Sequence, residues 1–247
     1  MIRTAVILAA GMGMRINGSI GDIPKGFINV GGETLIERSI RKLREFGIET
    51  IVIVVGYRAE YYEELAERHH GIVLLKNKEY ENSGSMYSYY CAGDNIETGF
   101  LLLESDLIYE DRAIQVLLDS GKEDVVLMSG STYAGDEVFV ETNNNTLVDM
   151  SKDRTTLGSV DGELVGISKI SLGLHREMIR TAERMFETTL HVDYESCIVE
   201  ASKQYPVHTL KIVDLIWGEI DDEHHLKRIH NKVYPKLYLI EQMIPRK

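Results

Sequence analysis

One stretch near the start of the chain, residues 5–25, constrains the fold more than any other. It reads AVILAAGMGMRINGSIGDIPK and begins with an apolar run that stops at Gly11. An apolar run of this length ahead of glycines predicts a buried parallel strand that enters a tight turn. Glycines let a ligand approach the backbone and expose N–H groups that can bind phosphate. Arg15 and Lys25 lie on either side of the loop, where they would neutralise anionic oxygens.

Two common phosphate-binding loops do not fit this stretch. A Walker A loop needs Gly-Lys-Ser/Thr at a set spacing, which the stretch lacks. A dinucleotide fingerprint needs a third glycine where this chain has Ile16. A structural turn without a ligand is an alternative for any isolated Gly-x-Gly, so the function of the loop depends on the residues around it.

Size and charge limit the kinds of partner. The 247 residues are enough for one α/β domain with a substantial core, and we expect a single domain over residues 1–247. The net charge of −12 disfavours nucleic acid and anionic membranes as partners. No apolar run approaches the ~18 residues of a membrane span. Cys91 and Cys197 provide no disulfide framework, which favours a cytoplasmic location.

Strands and helices alternate along the first half of the chain. The pattern predicts buried strands at residues 49–55, 72–76 and 99–106, with helices between them. This alternation is typical of an α/β fold in which a parallel sheet has helices on both faces. Ligands of such sheets bind beyond the carboxyl ends of the strands, where the glycine loop is expected.

The second half of the chain predicts an antiparallel part of the sheet. Residues 136–142 and 146–151 are joined by asparagines and form a predicted hairpin, and a strand follows at residues 165–170. We therefore expect a mixed sheet with an antiparallel insertion near 136–170 that acts as a lid. The apolar end of the chain, residues 233–247, is expected to pack on the domain, to form an oligomer contact or to link to a further domain.

An acidic cluster follows one of the predicted strands. Glu104 and Asp106 lie at the end of the strand at residues 99–106, on the same side of the sheet as the glycine loop. Carboxylates beside bound phosphate are typical ligands of Mg²⁺. The alternative is that Asp106 caps the next helix. His224 and His225 have no partner at metal-ligand spacing, so we expect both at the surface.

The loop as a whole resembles the signature of nucleotidyltransferases that act on sugar and alcohol phosphates. The shared pattern is Leu-Ala-Ala-Gly-x-Gly-x-Arg at residues 8–15, followed by Pro-Lys at residues 24 and 25. The resemblance implies a Rossmann-like three-layer α/β/α nucleotidyltransferase fold with Mg²⁺ as cofactor. It also implies that the nucleotide is bound by residues of two loops: Leu8, Ala9, Ala10, Gly11, Gly13, Met14, Ser83, Gly84, Ser85 and Ser88. A helix cap is the alternative for the serines before the helix.

Within this group the chain resembles the bacterial phosphocholine cytidylyltransferases over nearly its whole length. The matching segments are the glycine loop, residues 77–90, residues 104–106, residues 136–139 and residues 219–221. The resemblance implies CTP as the nucleotide and a second acidic residue that completes the metal site with Asp106. Asp221 is the predicted second ligand, with Glu219 and Asp222 as neighbours, and residues 217–222 are expected to open the final helix. A helix cap is the alternative for Asp222.

The chain departs from these cytidylyltransferases at the acceptor. They bind a quaternary ammonium in an aromatic cage, and the positions that match the cage tryptophans are Val138, Lys169 and Glu195. Losing aromatics while gaining a carboxylate suits a primary ammonium, which donates hydrogen bonds to Glu195 and Asp136. We therefore predict that the acceptor is a small amine-bearing phosphonate, 2-aminoethylphosphonate. Solvated surface charges at Glu195 and Asp136 are the alternative.

The resemblance implies that a phosphonate or phosphate oxygen attacks the α-phosphorus of CTP in line and that pyrophosphate leaves. Such chemistry asks the protein mainly for placement and positive charge. Lys25 is assigned to the α-phosphoryl and acceptor oxygens, Arg15 to the pyrophosphate and Lys152 to the anionic end of the acceptor. Alternatives in the same class are phosphocholine and sugar-phosphate nucleotidyltransferases. Alternatives of another class are a metal-dependent glycosyltransferase that uses Glu104 and Asp106, and a non-catalytic nucleotide sensor.

Overall fold

The computed structural model of the protein describes residues 2–16, 18 and 21–243. Its strands, in chain order, are β1 (Thr4–Ala9), β2 (Asn29–Val30), β3 (Glu33–Thr34), β4 (Thr50–Val55), β5 (Ile72–Lys76), β6 (Phe100–Glu104), β7 (Leu107–Tyr109), β8 (Val125–Ser129), β9 (Phe139–Asn143), β10 (Thr146–Ser151), β11 (Gly162–Ile170), β12 (His208–Ile212) and β13 (Trp217–Glu219). The α-helices are α1 (Leu35–Glu45), α2 (Ala59–Arg68), α3 (Ser85–Ala92), α4 (Arg112–Asp119), α5 (Leu172–Phe186), α6 (Tyr194–Ser202), α7 (Glu223–Arg228) and α8 (Tyr234–Met243).

A mixed nine-stranded sheet forms the middle layer, in the order β5-β4-β1-β6-β11-β8-β12-β10-β9. β5, β4, β1 and β6 are mutually parallel, whereas β11 runs antiparallel to both β6 and β8. In β1, Ala5 and Ile7 enter one buried cluster, and Val6 and Leu8 enter the other. Alternate side chains of a strand point to opposite faces, so both faces of the sheet are covered. The predicted Rossmann-like three-layer α/β/α fold with a mixed sheet is confirmed.

The antiparallel region is part of the main sheet. β11 lies between β6 and β8, and the β9–β10 hairpin follows β12, with β9 also pairing with the start of β11. The hairpin turn uses Asn144 and Asn145, both with positive φ (51° and 59°), as a tight two-residue turn requires. β9 begins only at Phe139, so residues 130–138 run as a loop past the end of the sheet.

Residues 217–222 do not open a helix, which corrects the prediction for this segment. Trp217 to Glu219 form β13, which pairs antiparallel with β7 and places Glu219 opposite Leu107. This pairing draws the second acidic segment against the segment that follows Asp106. Asp222 then caps α7, because its carboxylate accepts a hydrogen bond from the backbone N–H of His225 at 2.8 Å.

The last described helix packs on the domain. The Glu241 carboxylate of α8 lies 3.1 Å from both Arg38 and Lys42 of α1, and Leu237 is buried. Of the segment at residues 233–247, residues 244–247 lie outside the described residues, and the oligomer contact and the link to a further domain stay predictions. Among the described helices, none has the length and apolar composition needed to cross a membrane.

Candidate functional site

A cleft with an empty volume of about 830 Å³ opens at the carboxyl ends of β1 and β6. All of the predicted nucleotide-binding residues except Gly13 and Met14 line the cleft. Gly13 adopts a positive φ of 59°, and the Met14 side chain is exposed.

The glycine loop is supported by the end of β4. The N–H of Tyr57 donates to the carbonyl of Ala10 at 3.1 Å, and a Cβ on Gly56 would lie 2.8 Å from the same carbonyl oxygen. Asp22, after the loop, accepts hydrogen bonds from the Tyr57 hydroxyl and the Arg58 guanidinium. Contacts to the β4–α2 connection therefore hold the loop on both sides.

The serine hydroxyls of the second loop are oriented by one buried amide. The Asn77 side chain donates to the hydroxyls of Ser83 at 3.1 Å and Ser88 at 3.0 Å. Ser85 accepts from the backbone N–H of Tyr194 at 2.9 Å. No side chain caps α3, so the helix-cap alternative for these serines is wrong.

Lys25 joins the two acidic segments. Its Nζ lies 2.6 Å from Asp106 Oδ2 and 2.6 Å from Asp221 Oδ1. Burial opposes its charge, but Asp106, Asp221 and Glu219 outweigh burial and raise the pKa of Lys25. Burial likewise opposes the charge of Asp221, yet Lys25 and then Arg15 lower its pKa. The pair is therefore fully ionised at neutral pH.

Arg15 connects this centre to a neighbouring cavity. Its Nη2 lies 2.9 Å from Asp221 Oδ1, and its Nη1 donates to Asp136 Oδ2 at 2.8 Å. Lys152 Nζ lies 3.4 Å from the other oxygen of Asp136. The structure thus brings three predicted cations, Lys25, Arg15 and Lys152, to one region.

Three carboxylates converge beside Lys25. Ligand oxygens of Glu104, Asp106 and Glu219 all lie within 4.8 Å of one another. Burial, followed by the charges of Glu195 and Asp106, raises the pKa of Glu104 to about 8. Burial, followed by the charges of Glu104 and Asp106, raises the pKa of Glu219 well above its ordinary value. Three carboxylates this close together lack enough nearby positive charge to balance them. Such a group of oxygens is suited to binding a hard divalent cation.

The composition of this group differs from the predicted metal pair. Asp106 belongs to both sets, whereas Asp221 binds Lys25 and Arg15 and is not one of the three converging carboxylates. Asp222 caps α7, and Asp106 does not cap α4, whose N-cap position is Asp111. The metal role of Asp221 stays a prediction.

A second cavity, with an empty volume of about 570 Å³, adjoins the first and shares Glu104 and Glu195 with it. The three predicted acceptor-binding residues, Asp136, Lys152 and Glu195, all line this cavity. One Glu195 oxygen, Oε2, is enclosed and has no hydrogen-bond partner among the described residues. Burial raises the pKa of Glu195 to about 7. Glu195 is therefore not a solvated surface charge.

The match of Lys169 to a cage position is wrong. Lys169 pairs with Leu101 near the start of β6, and its Nζ donates to the carbonyl of Ser120 at 2.9 Å. This is the opposite end of the sheet from the cleft. The other two positions matched to the cage, Val138 and Glu195, both line the second cavity.

His225 is buried, which corrects the expectation of a surface residue. Its Nδ1 accepts from the backbone N–H of Asp221 at 3.3 Å, and its Nε2–H donates to the carbonyl of Ala134 at 3.2 Å. This tautomer links the acidic segment to the loop at residues 130–138. The position of His225 on a helix could not predict these two hydrogen bonds, because both partners lie outside α7.

Sequence reasoning missed three further residues of the site. The Tyr194 hydroxyl donates to Glu104 Oε1 at 2.5 Å, while Trp217 and Arg228 line the second cavity. Tyr194 and Trp217 are ordinary core residues by sequence pattern, and Arg228 is one charge among several on a short helix. The only available signal was that Trp217 and Arg228 flank the second acidic segment.

Comparison with known proteins identifies the class to which this arrangement belongs. A family model described as "MobA-like NTP transferase domain" matches residues 5–160. The 2-aminoethylphosphonate cytidylyltransferase of Lancefieldella rimae is 32% identical over 188 residues, which cover 76% of this chain and 74% of that protein. The choline-phosphate cytidylyltransferase of Streptococcus pneumoniae is 32% identical over 107 residues, which cover 43% of this chain and 46% of that protein.

A solved structure has the same fold. The inositol-1-phosphate CTP transferase of T. maritima superimposes with a TM-score of 0.82 at 21% identity, covering 99% of this chain and 98% of that one. At this identity the likeness shows the fold alone.

Proposed function

The chain belongs to the MobA-like NTP transferase family and is a nucleotidyltransferase, and on that premise we propose that it transfers CMP from CTP to 2-aminoethylphosphonate. The observation that carries the choice of acceptor is Glu195, a partly buried carboxylate with an unpaired oxygen in the second cavity. The relative of that name in Lancefieldella rimae supports the same choice.

CTP is assigned to the first cleft. Ala10 and Gly11 line this cleft, and the backbone N–H groups of such a loop suit phosphates. Ser83 and Ser88 each use one lone pair to accept from Asn77, which leaves each O–H free to donate. Cytosine offers two acceptors to such donors, the ring nitrogen N3 and the carbonyl oxygen O2, so the oriented hydroxyls support a pyrimidine in this cleft.

The acceptor is assigned to the second cavity. An ammonium beside Glu195 would donate to the unpaired Oε2 and restore the charge that burial disfavours. Asp136 lies on the same cavity and offers a second acceptor. The phosphonate end would then face Lys25 and Lys152 at the boundary with the first cleft.

The chemistry is a single displacement at phosphorus. A phosphonate oxygen forms a bond to the α-phosphorus of CTP, the bond to the β-phosphate oxygen breaks, and pyrophosphate takes the electron pair. Lys25 stabilises charge on the α-phosphoryl and acceptor oxygens, and Arg15 holds the pyrophosphate. Asp106, with Glu104 and Glu219 or with the predicted Asp221, would hold Mg²⁺, which when bound neutralises phosphate charge and orients the reacting groups.

Pyrophosphate release with CTP and Mg²⁺ tests the proposal, with 2-aminoethylphosphonate and phosphocholine compared as acceptors. We expect the aminophosphonate to be preferred, because phosphocholine has no N–H to donate to Glu195. The variant Glu195→Gln should raise the acceptor KM roughly tenfold or more, as loss of a charge-assisted hydrogen bond implies.

Glu200→Gln is the matched control, since Glu200 lies on the same helix and pairs at the surface with Lys203. A preference for phosphocholine, or an unchanged acceptor KM in Glu195→Gln, would contradict the acceptor assignment. If no pyrophosphate is released with either acceptor and any of the four nucleotides, the result would contradict the cytidylyltransferase proposal. It would favour the glycosyltransferase or the nucleotide sensor.

A further inference from the structure

The second cavity contains a cation that the proposed function does not use. Arg228, the last residue of α7, lines this cavity and is partly buried. Burial lowers the pKa of its guanidinium, although Glu163 and Glu137 favour the charge from a distance. Among the residues that the structure describes, none forms an ion pair with Arg228. Its charge is thus partly desolvated without a direct counter-ion among these residues.

The hydrogen-bonding capacity of Arg228 is largely unused. A guanidinium has five N–H donors in a planar fork. The hydrogen bond recorded for this one runs from Nη2 to the carbonyl of Thr132 and is long, at 3.4 Å. In contrast, Arg112 donates two hydrogen bonds of 2.7 Å each to the carboxylate of Glu110. The guanidinium of Arg228 therefore keeps N–H donors that suit two oxygens of a bound carboxylate or phosphonate.

The fold makes room for this guanidinium beside the acidic segment. A Cβ on Gly218 would lie 3.0 Å from Arg228 Nη1 and 2.5 Å from Ile229 Cδ1. A side chain at residue 218 would therefore displace the ends of the Arg228 and Ile229 side chains. The glycine lets the guanidinium lie against the strand that carries Glu219, on the wall of the cavity.

We propose that Arg228 binds an oxyanion of the acceptor and helps to determine which acceptors the enzyme accepts. This proposal rests on the proposed function, because it places the acceptor in the second cavity. Glu195 and Arg228 would then bind opposite charges of one zwitterionic molecule. The oxyanion comes either from the phosphonate itself or from a carboxylate of an amino-acid-like phosphonate, and both present two oxygens to the guanidinium fork.

Steady-state kinetics of Arg228→Met and Arg228→Lys test the assignment with two acceptors. One is 2-aminoethylphosphonate, and the other is 2-amino-3-phosphonopropanoate, which adds a carboxylate. Arg228→Met should raise the acceptor KM roughly tenfold to hundredfold, in line with loss of a charged hydrogen-bonded contact, and leave the CTP KM unchanged. Arg228→Lys should recover part of the affinity, because lysine keeps the charge but not the fork.

Lys227→Met is the control, because Lys227 is the neighbouring cation on α7 and pairs with Glu223 at the surface. A KM increase with both acceptors would assign the phosphonate to Arg228, and an increase confined to the carboxylated acceptor would assign the carboxylate. Unchanged KM values for both acceptors would overturn the proposal. So would an equal rise in the CTP KM together with a lower melting temperature, which would indicate a structural role.

Failure of the proposed function has a different signature. If the unmodified protein turns over neither acceptor, that result contradicts the function rather than Arg228. Calorimetric titration of the protein with 2-aminoethylphosphonate and with inorganic phosphate then tests whether Arg228 binds an oxyanion. Weaker binding by Arg228→Met than by Lys227→Met would support the oxyanion site, and equal binding would overturn it.

Discussion

The ammonium of Lys25 depends on partners from distant parts of the chain. Asp106 is 81 residues away in sequence and Asp221 is 196 residues away, yet both lie at 2.6 Å. A buried lysine without such partners would lose its proton or cost several kcal/mol. With them its pKa is raised, so Lys25 remains a cation that phosphate oxygens can compete for.

We expect Lys25→Ala to lower kcat by about 10²–10³-fold, as removal of a charge-stabilising donor does in other enzymes. The measurement is pyrophosphate release at saturating CTP, with Lys203→Ala as a control at a surface lysine. Full activity in Lys25→Ala would contradict the role of Lys25 and favour the glycosyltransferase alternative, which does not need this residue.

Two helices that carry different parts of the site begin against each other. The N–H of Gly84 donates to the carbonyl of Leu190 at 2.8 Å, and the N–H of Met86 donates to the carbonyl of Val192 at 2.9 Å. These bonds tie the start of α3, with the nucleotide loop, to the start of α6, with Glu195. A Cβ on Gly84 would lie 2.3 Å from the Val192 carbonyl oxygen, so this glycine is required by packing.

We expect Gly84→Ala to raise the KM values of both CTP and the acceptor, because α3 and α6 must move apart. Overpacking of this kind should also lower the free energy of unfolding by about 1–3 kcal/mol. Gly121→Ala is the control, since a Cβ at Gly121 meets nothing within 4 Å. Denaturant unfolding and steady-state kinetics of both variants provide the measurement. An unchanged acceptor KM in Gly84→Ala would show that the start of α3 does not position the start of α6.

On the scale of the whole molecule, one buried histidine joins the helices that cover one face of the sheet. The Tyr89 hydroxyl of α3 donates to Nδ1 of His175 in α5 at 2.7 Å, and Nε2–H donates to the carbonyl of Gly93 at 3.1 Å. Burial is the main cause of the lowered pKa of His175. A proton on Nδ1 would reverse this bond, with the Tyr89 hydroxyl as acceptor, and would place a charged ring in a buried site, so the folded state favours the neutral ring.

This arrangement predicts a loss of stability in acid. The unfolded chain takes up a proton at His175 near its ordinary pKa of 6.5, whereas the folded chain does so only at lower pH. The free energy of unfolding should therefore fall as pH drops below about 6.5, down to the folded pKa. Denaturant unfolding between about pH 5 and 8 measures this. His175→Gln should show a weaker pH dependence than the parent or the exposed-site control His191→Gln, and equal slopes would contradict the assignment.

Local patterns were enough to predict most of the elements. The apolar runs predicted β1, β4, β5 and β6 to within one or two residues, because a strand buried on both faces needs a continuous apolar segment. Thr34 and Glu37 form a capping box, and α1 begins at the next residue, Leu35. The segment at residues 217–222 was misassigned, because its strand exists only through pairing with β7.

The sequence by itself determined the glycine loop, the order of strands and helices in the first half of the chain, and the residue types that carry the chemistry, since these depend on neighbours along the chain. The tertiary structure alone decided which charges meet. Arg15 and Asp136 are 121 residues apart and bind at 2.8 Å, His225 is buried between Asp221 and Ala134, and Lys169 lies at the wrong end of β11. Pair distances and burial depend on topology and packing, which determine pKa values and the positions of cations, and no local pattern encodes them.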